Sequence, residues 1–146
     1  MQSRVKHIRD EDPAVELRAS DAANYTTAST QNNTGVSLGQ LVDADWDNGD
    51  IPWQSLGAQV VVHTIDFADN DGTYTLQLEI GDDESFSNKQ VVSQLKVDAV
   101  GAYVMLFDAD SAKKVQDAAY VRLNAVVTET TPVLGYYGWL INLPAQ

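Results

Sequence analysis

Cysteine is absent from this chain. The absence removes disulfide frameworks, thiolate-held zinc, iron–sulfur clusters and cysteine nucleophiles together, and it leaves the redox compartment open. Histidine is nearly absent as well, with only His7 and His63, and neither stands at a ligand spacing such as His-x-x-x-His, so a transition-metal site has few donors to draw on. Long apolar runs are missing. The longest uninterrupted one covers residues 102–107, far below the roughly 18 residues of a membrane-spanning helix, and no membrane association is expected. The first dozen residues turn polar where a secretion signal would carry its apolar segment, so the mature protein is expected to begin at Met1.

The remaining absence is regional. No Lys or Arg occurs between residues 19 and 88, a stretch that holds twelve of the 21 carboxylates. Residues 1–18 carry four basic and four acidic side chains and residues 89–146 carry five of each, so the net charge of −12 resides in the middle of the chain. Charge concentrated in this way sets up a field that repels polyanions and attracts basic partners. Nucleic acid is excluded as a partner on this ground, because affinity for it comes largely from cations that displace phosphate counterions.

The sequence of 146 residues is long enough to bury a core without metals or disulfides. Its organisation changes along its length. Residues 19–40 are dominated by Ala, Thr, Ser and Asn, a composition that buries too little to order itself alone, and residues 1–40 read as an extended arm. Turn formers and two of the three tryptophans, Trp46 and Trp53, mark a loop over residues 43–53. From residue 57 onward β-branched and alternating segments take over, at residues 59–65, 74–80, 90–97, 102–107, 120–127 and 135–143. In the second of these Tyr74, Leu76, Leu78 and Ile80 share the core face while Thr75, Gln77 and Glu79 point to water. In the last, alternation places Tyr137, Trp139, Ile141 and Leu143 together on the core face. Residues 110–118 alone have helix-compatible composition. The expected fold is therefore all-β, an antiparallel β-sandwich over residues 41–146 preceded by the arm.

Several strings invite a chemical reading. Gly35, Ser37 and Gly39 match the Gly-x-Ser-x-Gly nucleophile elbow, but that elbow needs a buried strand before the serine and a helix after it. Polar residues precede Ser37 and an acidic loop follows, so a polar turn is the simpler account and no catalytic residue is assigned. Asp43, Asp45 and Asp47 occupy the first three alternating positions of a helix-loop-helix calcium loop. The sixth and twelfth positions would then be Asn48 and Gln54, where such a loop needs Gly and Glu. These three remain the calcium candidates, with acidic turns as the plain alternative. Asp69, Asp71 and Gly72 are suggestive in the same way, but Phe67 stands where the first ligand should be. No metal or cofactor is assigned. Trp46 and Trp53 could stack sugars or anchor a subunit contact. Arg4, Lys6, Arg9 and Arg18, interleaved with acids, read either as a solvated mixed segment or as a tail that docks on a neighbouring subunit.

The order of residues across the β region resembles the small capsid cement proteins of tailed bacteriophages, the family typified by the cement protein of a Bordetella phage. Residues 27–30 leading to Leu38 and Gly39, the Val60, Val61 and Val62 strand, and above all residues 72–87 carry the likeness. Residues 120–124 and the closing residues 138–141 extend it. The resemblance implies a jelly-roll sandwich that binds the outer face of an icosahedral shell, bridges neighbouring major capsid subunits and self-associates as a dimer, with no enzymatic activity. It also implies that residues 82–86 form a strand-end turn with a buried Phe86. Negative charge fits this expectation, since packaged DNA would repel the chain from the interior. The alternative expectation is a sugar-binding β-sandwich module of a phage tail or extracellular appendage, carried by Trp46 and Trp53.

Overall fold

The computed structural model describes residues 16–37, 56–107 and 120–142. Within them the chain forms β1 (Glu16–Arg18), β2 (Thr30–Gln31), β3 (Val36–Ser37), β4 (Leu56–Ile65), β5 (Tyr74–Gly81), β6 (Lys89–Val97), β7 (Gly101–Leu106), β8 (Tyr120–Val127) and β9 (Leu134–Asn142), and no helix occurs among the described residues. One sheet has the order β1-β9-β4-β7; the other runs β2-β8-β5-β6, with β3 also paired to β8. Every pairing is antiparallel. The two sheets face each other across one core, which makes the fold a β-sandwich. All six segments marked by alternation are strands, with small shifts at their ends. The helix-compatible residues 110–118 lie outside the described residues.

The core follows from side-chain alternation on paired strands. Leu76 stands opposite Leu95 on one neighbour and Ala125 on the other, and Leu78 opposite Ser93 and Leu123. Tyr74, Leu76, Leu78, Ile80, Val121, Leu123 and Ala125 are all fully buried. Against them lie Ala58, Val60 and Val62 of β4, Met105 of β7, and Leu134, Tyr136 and Leu140 of β9. Each large apolar side chain enclosed in this way contributes about 1.5–3 kcal/mol relative to exposure. Two bulges adjust the register. One falls between Val62 and Thr64, at outward-facing His63, and shifts the pairing of Thr64 and Ile65 with β9; the other, opposite Leu78 and Glu79, gives Val92 room to point into the core.

The phase of β9 differs from expectation. Tyr136, Gly138 and Leu140 face the core, while Tyr137, Trp139 and Ile141 lie on the outer face and are partly exposed. The reason is volume. A side chain at Gly138 would press on Leu123 of the facing sheet and on the Gln59 carbonyl, each 3.0 Å from the added carbon, so the core already occupies that place. Tyr136, one register step away, fills the adjacent space and extends its hydroxyl to Gln31 and Asn33 at the sandwich edge.

Residues 16–37 are extended and lie against both sheets. β1 pairs with β9, a backbone pair joins Tyr25 to Leu134, and β2 and β3 both pair with β8. Leu17 and Arg18 are buried in this arrangement. The part of the expected arm that the structure describes therefore contributes to the sandwich itself, and the expected boundary at residue 40 lies outside the described residues.

Candidate functional site

The outer faces of the two sheets present different surfaces. On the first, register places Gln59 of β4 between Trp139 of β9 and Val104 of β7, and Val61 between Tyr137 and Ala102. Tyr137 and Trp139 stack with ring centroids 5.8 Å apart and an interplanar angle of 19°, and His63 approaches Tyr137 at 6.1 Å. Val104 and Leu106 are 56% and 57% exposed, with Val100 at 58% just before the strand. The β4, β7 and β9 portions of this face carry no acidic, Lys or Arg side chain. Glu16, beyond Trp139 on β1, is its acidic margin.

The second outer face is polar and partly covered. Glu79 lies on the outward phase of β5, as alternation requires, but it is only 2% exposed. The expectation of a wet Glu79 is corrected by its surroundings. Arg122 Nη2 donates to Glu79 Oε2 at 3.1 Å, Asn124 Nδ2 donates to Oε1 at 3.0 Å, and Lys89 approaches Oε2 at 3.4 Å. The Arg122 guanidinium lies 4.2 Å above the Phe86 ring. Phe86 is buried, as the expected strand-end turn required, and it adopts φ 55°, an uncommon conformation for a bulky residue. Gly35 provides the close approach on its other side, where any Cβ would collide with the ring. The turn ahead of Phe86 is tied by Asp83, whose carboxylate accepts from the amide and hydroxyl of both Ser85 and Ser87. Those donors, led by the Ser87 hydroxyl, hold the Asp83 carboxyl below the usual carboxylate range.

Between this turn and the β2–β3 connection lies an open cleft of about 540 Å³, lined by Asn33, Gly35, Ser37, Glu84, Tyr120 and Arg122 among others. Asn33 is fixed there, since its amide donates to Asn124 Oδ1 and its side-chain nitrogen donates to the Leu123 carbonyl and the Tyr136 hydroxyl. Ser37 ends β3 and faces a polar wall that holds no histidine among the described residues, because His63 belongs to the other sheet. The long buried strand that an elbow needs before its serine is absent among the described residues: Ser37 sits in a two-residue strand at the edge of β8.

The acidic loops at one end of the sandwich are occupied with the chain's own donors. Asp71 accepts from the amide and hydroxyl of Thr130, and Asp69 from those of Thr131. The Thr130 hydroxyl is the main reason that the Asp71 carboxyl is held below its ordinary range. Glu129 is fully buried with Oε2 accepting from the Gly72 amide, while its Oε1 has no donor among the described residues. No group of three or more His, Asp or Glu side chains among the described residues is arranged to hold a metal.

Of the residues singled out from sequence, Arg18 is placed inside the fold. Its Nη1 donates to the Tyr136 carbonyl, its Nη2 to the Ala23 carbonyl at 2.6 Å, and its guanidinium lies 4.2 Å over the Tyr136 ring. As a partner contact Arg18 is corrected: it is 8% exposed and anchors β1 to β9. Burial raises the Tyr136 hydroxyl to about 12, although the Arg18 charge pulls the other way. Arg4, Lys6, Arg9, Trp46 and Trp53 lie outside the described residues, as do the calcium candidates Asp43, Asp45 and Asp47. The structure adds Tyr137, Trp139 and His63 as an outward row. The signal for the row was in the sequence, in the alternation of β9, but its phase was ambiguous. No helix among the described residues is long and apolar enough to cross a membrane. No protein-family model, curated protein or solved structure matches this chain.

Proposed function

We propose that this chain is a noncatalytic virion structural protein, a jelly-roll cement protein that binds the outer surface of a phage capsid, bridges neighbouring major capsid subunits and self-associates. One observation supports the docking reading beyond the sequence resemblance. The β4, β7 and β9 outer face is mostly apolar and aromatic and carries no Lys, Arg, Asp or Glu, on a chain whose net charge is −12. Exposed apolar area of this kind on an otherwise acidic protein supports protein–protein contact. The chain's charge also favours a position outside a packaged genome. Many copies, each touching two subunits, gain effective concentration without any one strong contact.

The test is occupancy on purified shells that lack the protein. Replacing Tyr137 and Trp139 together by Ala is expected to lower occupancy while the sandwich stays folded. A truncation of residues 2–15, which stops short of buried Leu17 and Arg18, should weaken binding through loss of the basic arm residues. Wild-type occupancy in both variants would overturn the assignment of these contacts, and failure of the intact chain to bind any shell would overturn the cement reading.

The outward Trp139 favours a second reading that the sequence alone had tied to Trp46 and Trp53. Stacked aromatic rings on a sheet face beside Gln59 could hold a saccharide, as in a binding module of a phage tail or appendage. Glycan-array binding that is lost in Trp139→Ala, with shell binding absent, would select this reading.

A further inference from the structure

We propose that the cleft between the β2–β3 connection and the turn ahead of Phe86 binds a neutral, hydroxyl-rich ligand, in its simplest form a single saccharide unit. The cleft measures about 540 Å³, within the range of roughly 300–1,000 Å³ that small-molecule sites occupy. Both of its walls are braced from behind. Asn33 commits its amide and side-chain nitrogen to Asn124, Leu123 and Tyr136, and Asp83 ties Ser85 and Ser87 into one turn. Neither wall therefore needs to be ordered when a ligand arrives.

The side chains that the bracing does not use define the ligand. Asn32, Thr34 and Glu84 line the cleft, are exposed, and make no side-chain hydrogen bond among the described residues. Together they offer an amide, a hydroxyl and a carboxylate, a set that suits a ligand able both to donate and to accept. Arg122 adds a donor with nothing to donate to. It is 7% exposed, and its Nε is buried without an acceptor, although Nη2 is held by Glu79. A buried N–H left unpaired is costly, so a small turn of the guanidinium toward a ligand oxygen in the cleft relieves that cost. Tyr120, partly exposed, also lines the cleft and brings an aromatic ring with a polar tip.

Charge decides between ligands. The acids around the cleft are Glu84 on its wall, Asp82 and Asp83 in the same turn, and Glu79 behind Arg122; the bases are Arg122 itself and Lys89, which approaches Glu79. Acids outnumber bases, so an anion is repelled. A cation would leave the Arg122 donor unanswered. A neutral polyhydroxyl ligand meets Glu84 with its hydroxyl protons and Arg122 with its oxygens. The inference needs no capsid and concerns the sheet opposite Tyr137 and Trp139, so its failure leaves both readings of that face untouched.

The experiment is proton–nitrogen correlation NMR of the full chain, titrated separately with the methyl glycosides of glucose, galactose and mannose and with the uronic-acid counterpart of each. At least one neutral hexoside is expected to shift the amides of residues 32–35, 84 and 85 saturably, with a dissociation constant on the order of 1 mM. The Arg122 Nε–H signal should move along the same curve. The matching uronide should bind at least about tenfold more weakly, and Glu84→Ala should weaken the neutral hexoside by about tenfold while thermal unfolding stays at the wild-type temperature. Four results would overturn the proposal: no saturable shift with any neutral hexoside, a uronide that binds as tightly as its hexoside, an Arg122 Nε–H signal that stays still as the ligand saturates, or shifts confined to Tyr137 and Trp139. The last would assign the saccharide to the other sheet.

Discussion

Both sheets bury one face in the same core, yet their outer faces are built on opposite chemistry. On β4, β7 and β9 the outward residues are mostly apolar or aromatic, with Gln59 and His63 among them and no Lys, Arg, Asp or Glu. On β5 and β8 the outward residues are charged and polar, and loops close over them until Glu79, Arg122 and Asn124 are as buried as the core. Exposure and polarity have thus been exchanged relative to the simple rule that polar side chains face water. What decides is coverage. The turn leading to Phe86 and the connection through Asn33 shelter one face, and the other receives no comparable cover from the described residues.

The largest effect comes from inserting the same charge on either side of the sandwich. Leu78→Asp places an unpaired carboxylate at a fully buried site, a cost of several kcal/mol that should abolish cooperative folding. Leu106→Asp, at a site 57% exposed, should change stability by no more than about 0.5 kcal/mol. Urea denaturation of the pair measures the contrast directly, and a folded Leu78→Asp variant would refute the assigned strand phase.

Glu79→Ala tests whether the polar face is held by its charge network. Removal leaves Arg122 buried beside Phe86 without its carboxylate, and a loss of about 3–5 kcal/mol is expected from breaking a buried pair. Lys89, nearly half exposed, should matter far less, because water compensates its loss. A Glu79→Ala variant as stable as Lys89→Ala would show that the apparent network carries no net stability.

A smaller effect is expected at the join between the faces. Tyr136→Phe removes the hydroxyl that donates to Gln31 and accepts from Asn33, a loss of about 1 kcal/mol at neutral pH. The folded-state pKa of this tyrosine is raised from 10.0 to about 12, so its share of stability is complete below pH 10 and is lost as pH rises toward 12. The stability difference between wild type and Tyr136→Phe should therefore shrink between about pH 10 and pH 12. A difference that stays constant over that range would place the hydroxyl in a more solvated setting than the structure gives it.

The sequence was informative where one face of a strand is apolar and the other is not. Tyr74 to Ile80 alternates without ambiguity, and its core assignment holds residue by residue. β9 is apolar on both faces, so Leu134, Tyr136 and Leu140 compete with Tyr137, Trp139 and Ile141 for the core, and only the volume left by Leu123 decides between them. Glu79 shows the complementary limit: alternation gave its face, but the loops that cover it come from residues 33 and 86. The short strands β1, β2 and β3 carry no period that could announce them, since each has two or three residues and is stabilised by a neighbour distant in sequence. Arg18 looked available because it lies among mixed charges, and its burial depends on carbonyls and a ring supplied by the fold.

The placement of residues 16–37 also bears on the order of events during synthesis. Arg18 bonds to Tyr136 across 118 positions of sequence, and Asn33 to the Tyr136 hydroxyl across 103. Among the described residues, β1, β2 and β3 find their strand partners only in β8 and β9. Residues 16–37 must therefore wait for β8 and β9 to follow before they can settle, and loop closure over such separations is slow. A truncated translation product ending before β8 would hold these residues without a docking place, so completion of the C-terminal strands acts as the checkpoint for the N-terminal ones.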